Sequence, residues 1–243
     1  MQPTREWLEK WKKVKDKLQA PRNLEDYFTL KEIAGEKLDV LNIGTCSIPS
    51  GKLVAGDSLV TLLDENLIPY IQETPIGEFP VDICVLTNHD RYAAIRIKFN
   101  DNKAVYFENG MKGNEDLEGE IKEGDFYGFG VDAGMASITD IEVQKAYHKF
   151  EKKFSELNED GDLYNDYFWD LLEENAKEFP KYQAEYGDWL NWNIPDTKYT
   201  MPICASDWGD GYYPVYFGYD ENNNICQVVV HFIDIDLEFL EEK

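Results

Sequence analysis

One stretch near the end of the chain decides the fold: YPVYFGYDENNNICQVVVHFI, residues 213–233. Two apolar runs, Tyr213–Tyr219 and Ile225–Ile235, flank the polar segment Asp220–Asn224, whose residue types favour a turn. The pattern therefore predicts a β-hairpin. The second run is apolar at consecutive positions, which is typical of a strand that lies inside a sheet.

Shorter runs of the same character precede this hairpin, and glycine, proline and asparagine turn signals separate them. They predict antiparallel strands over Leu38–Ile43, Leu53–Val54, Val81–Leu86, Tyr92–Phe99 and Ala104–Glu108. Residues 109–125 carry four glycines among many acids and predict an exposed loop. Strand character returns over Phe126–Ser137, whereas residues 181–200 are aromatic and follow no clear period.

Helical spacing of apolar residues appears in three segments. Residues 5–19 predict a basic amphipathic helix, and its tryptophans, Trp7 and Trp11, are expected to dock on the rest of the protein. Thr139 and Glu142 have capping-box spacing at the start of a helix over 140–157. A further helix is predicted over 165–179, ending at Pro180.

These elements predict an α+β fold with a mainly antiparallel, curved or two-layered β-sheet and two helices packed on one side. Residues 1–22 form the N-terminal amphipathic helix, which docks on a single α+β domain over 23–243. The predicted inner positions are Val81, Ile83, Ile95, Ile97, Val215, Phe217, Val228, Val230 and Phe232.

The net charge of −24 limits the kinds of partner that the protein can have. Residues 1–22 carry +4, so the remaining residues carry −28. Such a body repels nucleic acid and anionic membranes and attracts basic proteins or cations. The chain begins without an apolar leader, and its four cysteines are widely spaced, so we expect a cytoplasmic protein with reduced thiols.

Known catalytic motifs are missing from the sequence. It contains no Walker A loop, no Gly-x-Ser-x-Gly elbow and no complete dinucleotide fingerprint, and its three histidines are far apart. The acidic segment Asn158–Asp162 resembles a calcium loop, but Tyr167 stands where the bidentate glutamate is required. A solvated turn is the better interpretation, and no cofactor is predicted.

Two segments combine acids and glycines at places where strands are expected. The first is Gly130–Ser137, with Asp132 and Gly134, and the second is residues 206–216. Both have the composition of structural corners. If they meet in space, they form a candidate binding site whose further members are Asp207, Trp208, Asp210, Gly211, Tyr212 and Tyr213. Asp132, Asp207 and Asp210 would then be the alternative ligands of a metal ion.

The same segments carry a family resemblance. Ile48–Asp57, Phe79-Pro80-Val81, Gly130–Gly134 and the pair of motifs at 208–211 and 213–216 occur in the order seen in the bacterial domain-of-unknown-function family 4241. The resemblance covers about residues 40–235 and implies one compact domain. It implies no reaction and no ligand.

Two functional hypotheses follow. The leading one is an acidic, cytoplasmic protein-binding module, of immunity or antitoxin type, that neutralises a basic partner. The alternative is a metal-dependent hydrolase or small-ligand binder that uses Asp132, Asp207 and Asp210. The sequence specifies no oligomeric state.

Overall fold

A computed structural model of the chain describes residues 3–206 and 208–240. The strands are β1 Glu32–Ile33, β2 Glu36–Ile48, β3 Leu53–Asp57, β4 Gly77–Leu86, β5 Arg91–Lys98, β6 Tyr106–Asn109, β7 Gly128–Val131, β8 Met135–Asp140, β9 Trp189–Asn193, β10 Thr200–Ala205, β11 Gly211–Tyr219 and β12 Ile225–His231. The α-helices are α1 Arg5–Val14, α2 Asp26–Thr29, α3 Ile141–Leu157, α4 Trp169–Glu178 and α5 Ile235–Leu240. Short 3₁₀ turns cover Lys15–Lys17 and Thr61–Leu63, and a π-helical turn covers Tyr164–Phe168.

The strands form two antiparallel sheets. The larger has the order β1-β2-β4-β5-β12-β11-β6, with β7 added to β11, and curves into a half-barrel. The smaller has the order β3-β8-β10-β9. The predicted α+β class with a mainly antiparallel curved sheet is therefore confirmed.

The main core lies between the two sheets. Ile83 and Val228 of the larger sheet share one apolar cluster with Ala55 and Ile138 of the smaller sheet. The alternation of side chains along a strand explains this arrangement, because successive residues point to opposite faces. Every predicted inner position is buried: Val81, Ile83, Ile95, Ile97, Val215, Phe217, Val228, Val230 and Phe232.

The outer face of the smaller sheet holds a second apolar cluster. Val54, next to Ala55 in β3, turns to this face, where Trp192 of β9 also lies. Val143 and Tyr147 of α3 and Leu172 of α4 belong to the same cluster. Strands β9 and β10 were not predicted because they contain Asn191, Asn193 and a proline, so their sequences follow no clean period of two.

Two corrections concern the ends of helices. Helix α1 ends at Val14, five residues before the predicted end at residue 19, and the chain continues as a 3₁₀ turn over Lys15–Lys17. Helix α3 is capped by Asp140 rather than by Thr139, because the Asp140 carboxylate accepts the Glu142 N–H at 2.9 Å. None of the helices in the described part of the chain has the length and hydropathy that a bilayer-spanning helix requires.

Residues 110–125 form a loop whose acids are mostly exposed, as the composition predicts, but three of its apolar side chains are buried. Met111, Leu117 and Ile121 are buried against Trp7 and Trp11 of α1. The Trp7 indole N–H also donates to the Glu115 carbonyl at 3.0 Å. The glycines and acids around these three apolar residues give the segment a polar composition, so the sequence does not predict their burial. They are buried only by contact with the distant helix α1.

Candidate functional site

The two segments rich in acids and glycines pair directly with each other. Strand β7 runs antiparallel to the start of β11, with Gly211 opposite Val131 and Tyr213 opposite Phe129. The expectation that the segments meet in space is therefore confirmed. We refer to residues 128–134 together with 206–214 as the β7–β11 corner.

A buried carboxylate that the sequence analysis missed supports this corner. Asp57, at the end of β3, is 0% exposed. One of its oxygens accepts the backbone N–H groups of Asp132 at 2.8 Å and Ala133 at 2.6 Å. The other accepts those of Leu59 at 2.8 Å and Val60 at 3.1 Å. Four backbone donors thus satisfy the carboxylate and fix the turn that presents Asp132.

Asp57 could have been recognised only in part from the sequence. It follows directly after a buried strand and belongs to the Gly56-Asp57 turn signal, which indicates a local hydrogen bond to Leu59 or Val60. Its bonds to residues 75 and 76 positions away have no local signature. Its role as the support of the corner is therefore a property of the tertiary structure.

Three glycines of the corner stand at positions that other residues would not occupy without strain or collision. Gly134 and Gly209 adopt φ values of +69° and +97°, which side chains rarely allow. Gly211 has an ordinary φ, but a Cβ there would lie 2.7 Å from the Tyr213 hydroxyl. The Ser206 N–H donates to the Gly134 carbonyl at 3.0 Å and links the two halves of the corner.

Tyr213, expected at the rim of the site, is instead part of the core. Its side chain is 7% exposed, and its ring packs edge-on against Phe232 with centroids 5.2 Å apart. Its hydroxyl donates to the carbonyl of Gly209 at 2.9 Å and lies 3.3 Å from that of Ser206. Tyr213 therefore holds the turn before β11 in place and is not available to a partner.

Two aromatic side chains of the corner are exposed. Trp208 is 56% exposed and Tyr212 is 54% exposed. The Arg91 guanidinium lies 5.2 Å from the centre of the Trp208 ring, which is a cation–π contact. Tyr212 stacks on Phe126 with centroids 5.9 Å apart, and its hydroxyl accepts the Gly128 N–H at 3.0 Å. Trp208 is thus held by a cation–π contact, and Tyr212 by a stacked ring and a hydrogen bond.

The carboxylates of the corner lie at the surface. Asp132 and Asp210 are exposed, and Asp207 falls outside the described residues. Within residues 3–206 and 208–240, no three histidine, cysteine or acidic side chains are grouped closely enough to hold a metal ion. The predicted cluster of Asp132, Asp207 and Asp210 therefore stays a prediction.

The four cysteines and His231 lie in the core, whereas His89 is exposed and His148 is partly exposed. Burial raises the pKa of the Cys46, Cys84 and Cys204 thiols well above the ordinary value, which disfavours the nucleophilic thiolate. Burial lowers the pKa of His231 to about 4. His231 Nε2 lies 2.9 Å from the Tyr27 hydroxyl, which also bonds backbone groups of the segment after β12.

Comparison with known proteins supports the resemblance found in the sequence. Residues 46–230 match the model of a family described as a protein of unknown function, DUF4241. The match includes both strands of the β7–β11 corner and Asp57, whereas helix α1 lies before it. No curated protein and no solved structure matches the chain. The chain therefore belongs to the DUF4241 family of proteins of unknown function.

Proposed function

We propose that this protein is an acidic binding module of the immunity or antitoxin type, which neutralises a basic partner protein in the cytoplasm. The observation that carries the proposal is the exposure of Trp208 and Tyr212 on a hydrogen-bonded corner. Exposed aromatic rings on a rigid support lose little conformational freedom on binding and bury a large area, so they often dominate the affinity of an interface.

The charge of the protein supports a basic partner. The chain carries −24, and Asp132 and Asp210 are exposed beside the two aromatic rings. The contact between Arg91 and Trp208 supports the same chemistry, because the ring already accepts a guanidinium group from within the chain. A partner could place a further arginine or lysine near the rings and pair it with one of the carboxylates.

Affinity purification from the native host at low salt tests this proposal. The bait is the full chain with an affinity tag, and we expect it to retain a basic protein in stoichiometric amount. The double variant Trp208→Ala/Tyr212→Ala should lose this protein. The matched control is Tyr186→Ala, because Tyr186 is also 54% exposed but lies outside the corner.

The salt dependence of the purified complex supplies a second test. Exposed charges interact over only about 8 Å at physiological ionic strength, so salt should slow association. Dissociation should depend mainly on the aromatic contacts, and Trp208→Ala should accelerate it. A partner that binds the double variant as tightly as the unchanged protein would contradict the assignment to the corner.

The alternative proposal is a metal-dependent hydrolase or small-ligand binder. It is supported by the register of the corner, in which Gly211 pairs with Val131, so that Asp210 and Asp132 flank the last pair of the ladder. Calcium, magnesium or manganese should then raise the melting temperature, and Asp210→Ala should abolish the increase. The absence of any increase with these three ions would remove this alternative.

A further inference from the structure

A cleft of about 560 Å³ lies on another part of the protein, between β2, β9 and the end of α4. Its volume is in the range of ligand-binding clefts. It shares no residue with the β7–β11 corner. The lining residues that matter here are Leu41–Gly44, Asn175, Phe179, Trp189 and Asn191.

One wall of the cleft is the edge of strand β2. On its other side β2 pairs with β4 over Leu38–Ile48, whereas on this side it pairs with β1 only at Glu36 and Lys37 among the described strands. A bulge between Asn42 and Gly44 lies within the cleft wall. None of the described strands therefore pairs with residues 41–44 on this side, although β9 lies close by.

A side-chain amide already pairs with this edge. The Asn191 amide, oriented to satisfy its neighbours, donates to the Thr45 carbonyl at 2.8 Å and accepts the Thr45 N–H at 3.0 Å. These are the two hydrogen bonds that a residue of an added antiparallel strand would make. Gly44, at φ +113°, allows this approach because a Cβ there would collide with the Asn191 amide.

The opposite wall has the same chemistry together with an apolar surface. The Asn175 amide donates to the Trp189 carbonyl at 2.8 Å, so a carboxamide also covers a backbone group of β9. The half-exposed ring of Phe179 packs against the Trp189 ring, with centroids 5.9 Å apart. Trp189 is 4% exposed, and its buried indole N–H has no hydrogen-bond partner among the described residues.

We propose that this cleft binds an extended peptide segment of a partner protein, which adds to the edge of β2 and places one apolar side chain against Phe179 and Trp189. The two existing carboxamide contacts favour a peptide, because each one imitates a peptide group on a strand edge. The polar lining consists of neutral amides, and the charge of Lys181 at the rim is paired with Asp39 at 2.8 Å. The segment is therefore uncharged where it enters the cleft.

Nuclear magnetic resonance of the full-length, ¹⁵N-labelled protein tests the proposal. The chain has six tryptophans, and the Trp189 indole signal is identified by its loss in Trp189→Phe or by its proximity to the Phe179 ring. The probe is the blocked peptide acetyl-Val-Phe-Val-methylamide, whose branched residues favour the extended form. We expect a shift of the Trp189 indole proton, because the bound peptide ring lies against the Phe179–Trp189 pair, and half-saturation at about 1 mM, since a short flexible peptide must be ordered on binding.

A second peptide separates strand addition from simple insertion of a ring. Acetyl-Pro-Phe-Pro-methylamide keeps the aromatic side chain but lacks the N–H groups of the two flanking residues. It should leave the indole signal unchanged. If both peptides shift the signal equally, or if neither does, the proposal is overturned.

A pair of protein variants locates the binding site. Phe179→Ala should weaken binding of the valine peptide by about fivefold, since the peptide loses one aromatic wall. The matched control is Leu157→Ala, which removes another exposed apolar side chain at the end of α3, and it should not change the affinity. Equal affinity of Phe179→Ala and the unchanged protein would place the peptide elsewhere and overturn the proposal.

Discussion

The variant Asp57→Asn tests whether one buried carboxylate supports the β7–β11 corner. Asn has nearly the same shape as Asp, but one of its two oxygens is replaced by an NH₂ group, which donates hydrogen bonds. In the native protein each Asp57 oxygen accepts two backbone N–H groups. The variant must therefore lose two of the four hydrogen bonds, and its NH₂ group must face two backbone N–H groups.

The expected loss of stability follows from the number of these bonds. A hydrogen bond to a charged group contributes about 1.5–3 kcal/mol, so losing two should lower the free energy of unfolding by about 3–6 kcal/mol. In a chain of this size, that corresponds to a fall of about 10 °C in the melting temperature. Urea unfolding followed by circular dichroism measures the change, and the slope of the transition should stay the same.

The control is Asp64→Asn, because Asp64 also accepts a backbone N–H, from Asn66, but is exposed. Water replaces the lost interaction there, so the free energy of unfolding should change by less than about 0.5 kcal/mol. Equal stability of Asp57→Asn and Asp64→Asn would refute the structural role of the buried carboxylate. A loss of stability together with unchanged partner binding would show that the corner keeps its binding surface without the full set of Asp57 hydrogen bonds.

Three further predictions concern His231, the corner residue Gly134 and helix α1. Burial lowers the pKa of His231 to about 4, so below pH 6.5 the unfolded state binds a proton that the folded state does not bind. The free energy of unfolding should therefore fall by up to about 3 kcal/mol between pH 6.5 and 4. Urea unfolding measures this fall, which should be absent in His231→Gln. Gly134→Val should cost about 1–3 kcal/mol through backbone strain, whereas Gly119→Val, in open space and without a positive φ, should cost much less in the same assay. Trp11→Ala should lower the free energy of unfolding by about 3 kcal/mol and make residues 109–125 sensitive to limited proteolysis, because Trp7 and Trp11 bury three apolar side chains of that segment. Resistance to proteolysis equal to that of the native protein would contradict the packing.

The corner shows how far local sequence can determine a site. Gly134 was recognisable because a glycine within a predicted strand indicates a corner, and glycine adopts a positive φ at little cost. Tyr212 and Tyr213 are adjacent and identical, yet one is 54% exposed and the other 7%. The pairing of β11 with β7 decides which tyrosine faces the core, because alternation gives only the period of two and not its phase.

The sequence by itself determined the α+β class, the strands rich in valine and isoleucine, and the helix after β8, because these depend on the spacing of apolar residues within one segment. The tertiary structure alone decided that Asp57 supports the corner, that Met111, Leu117 and Ile121 are buried against α1, and that a cleft separates β2 from β9. Each of these features depends on residues that are far apart in the chain. Local spacing carries no record of such contacts, since they form only when the two sheets and the helices have packed.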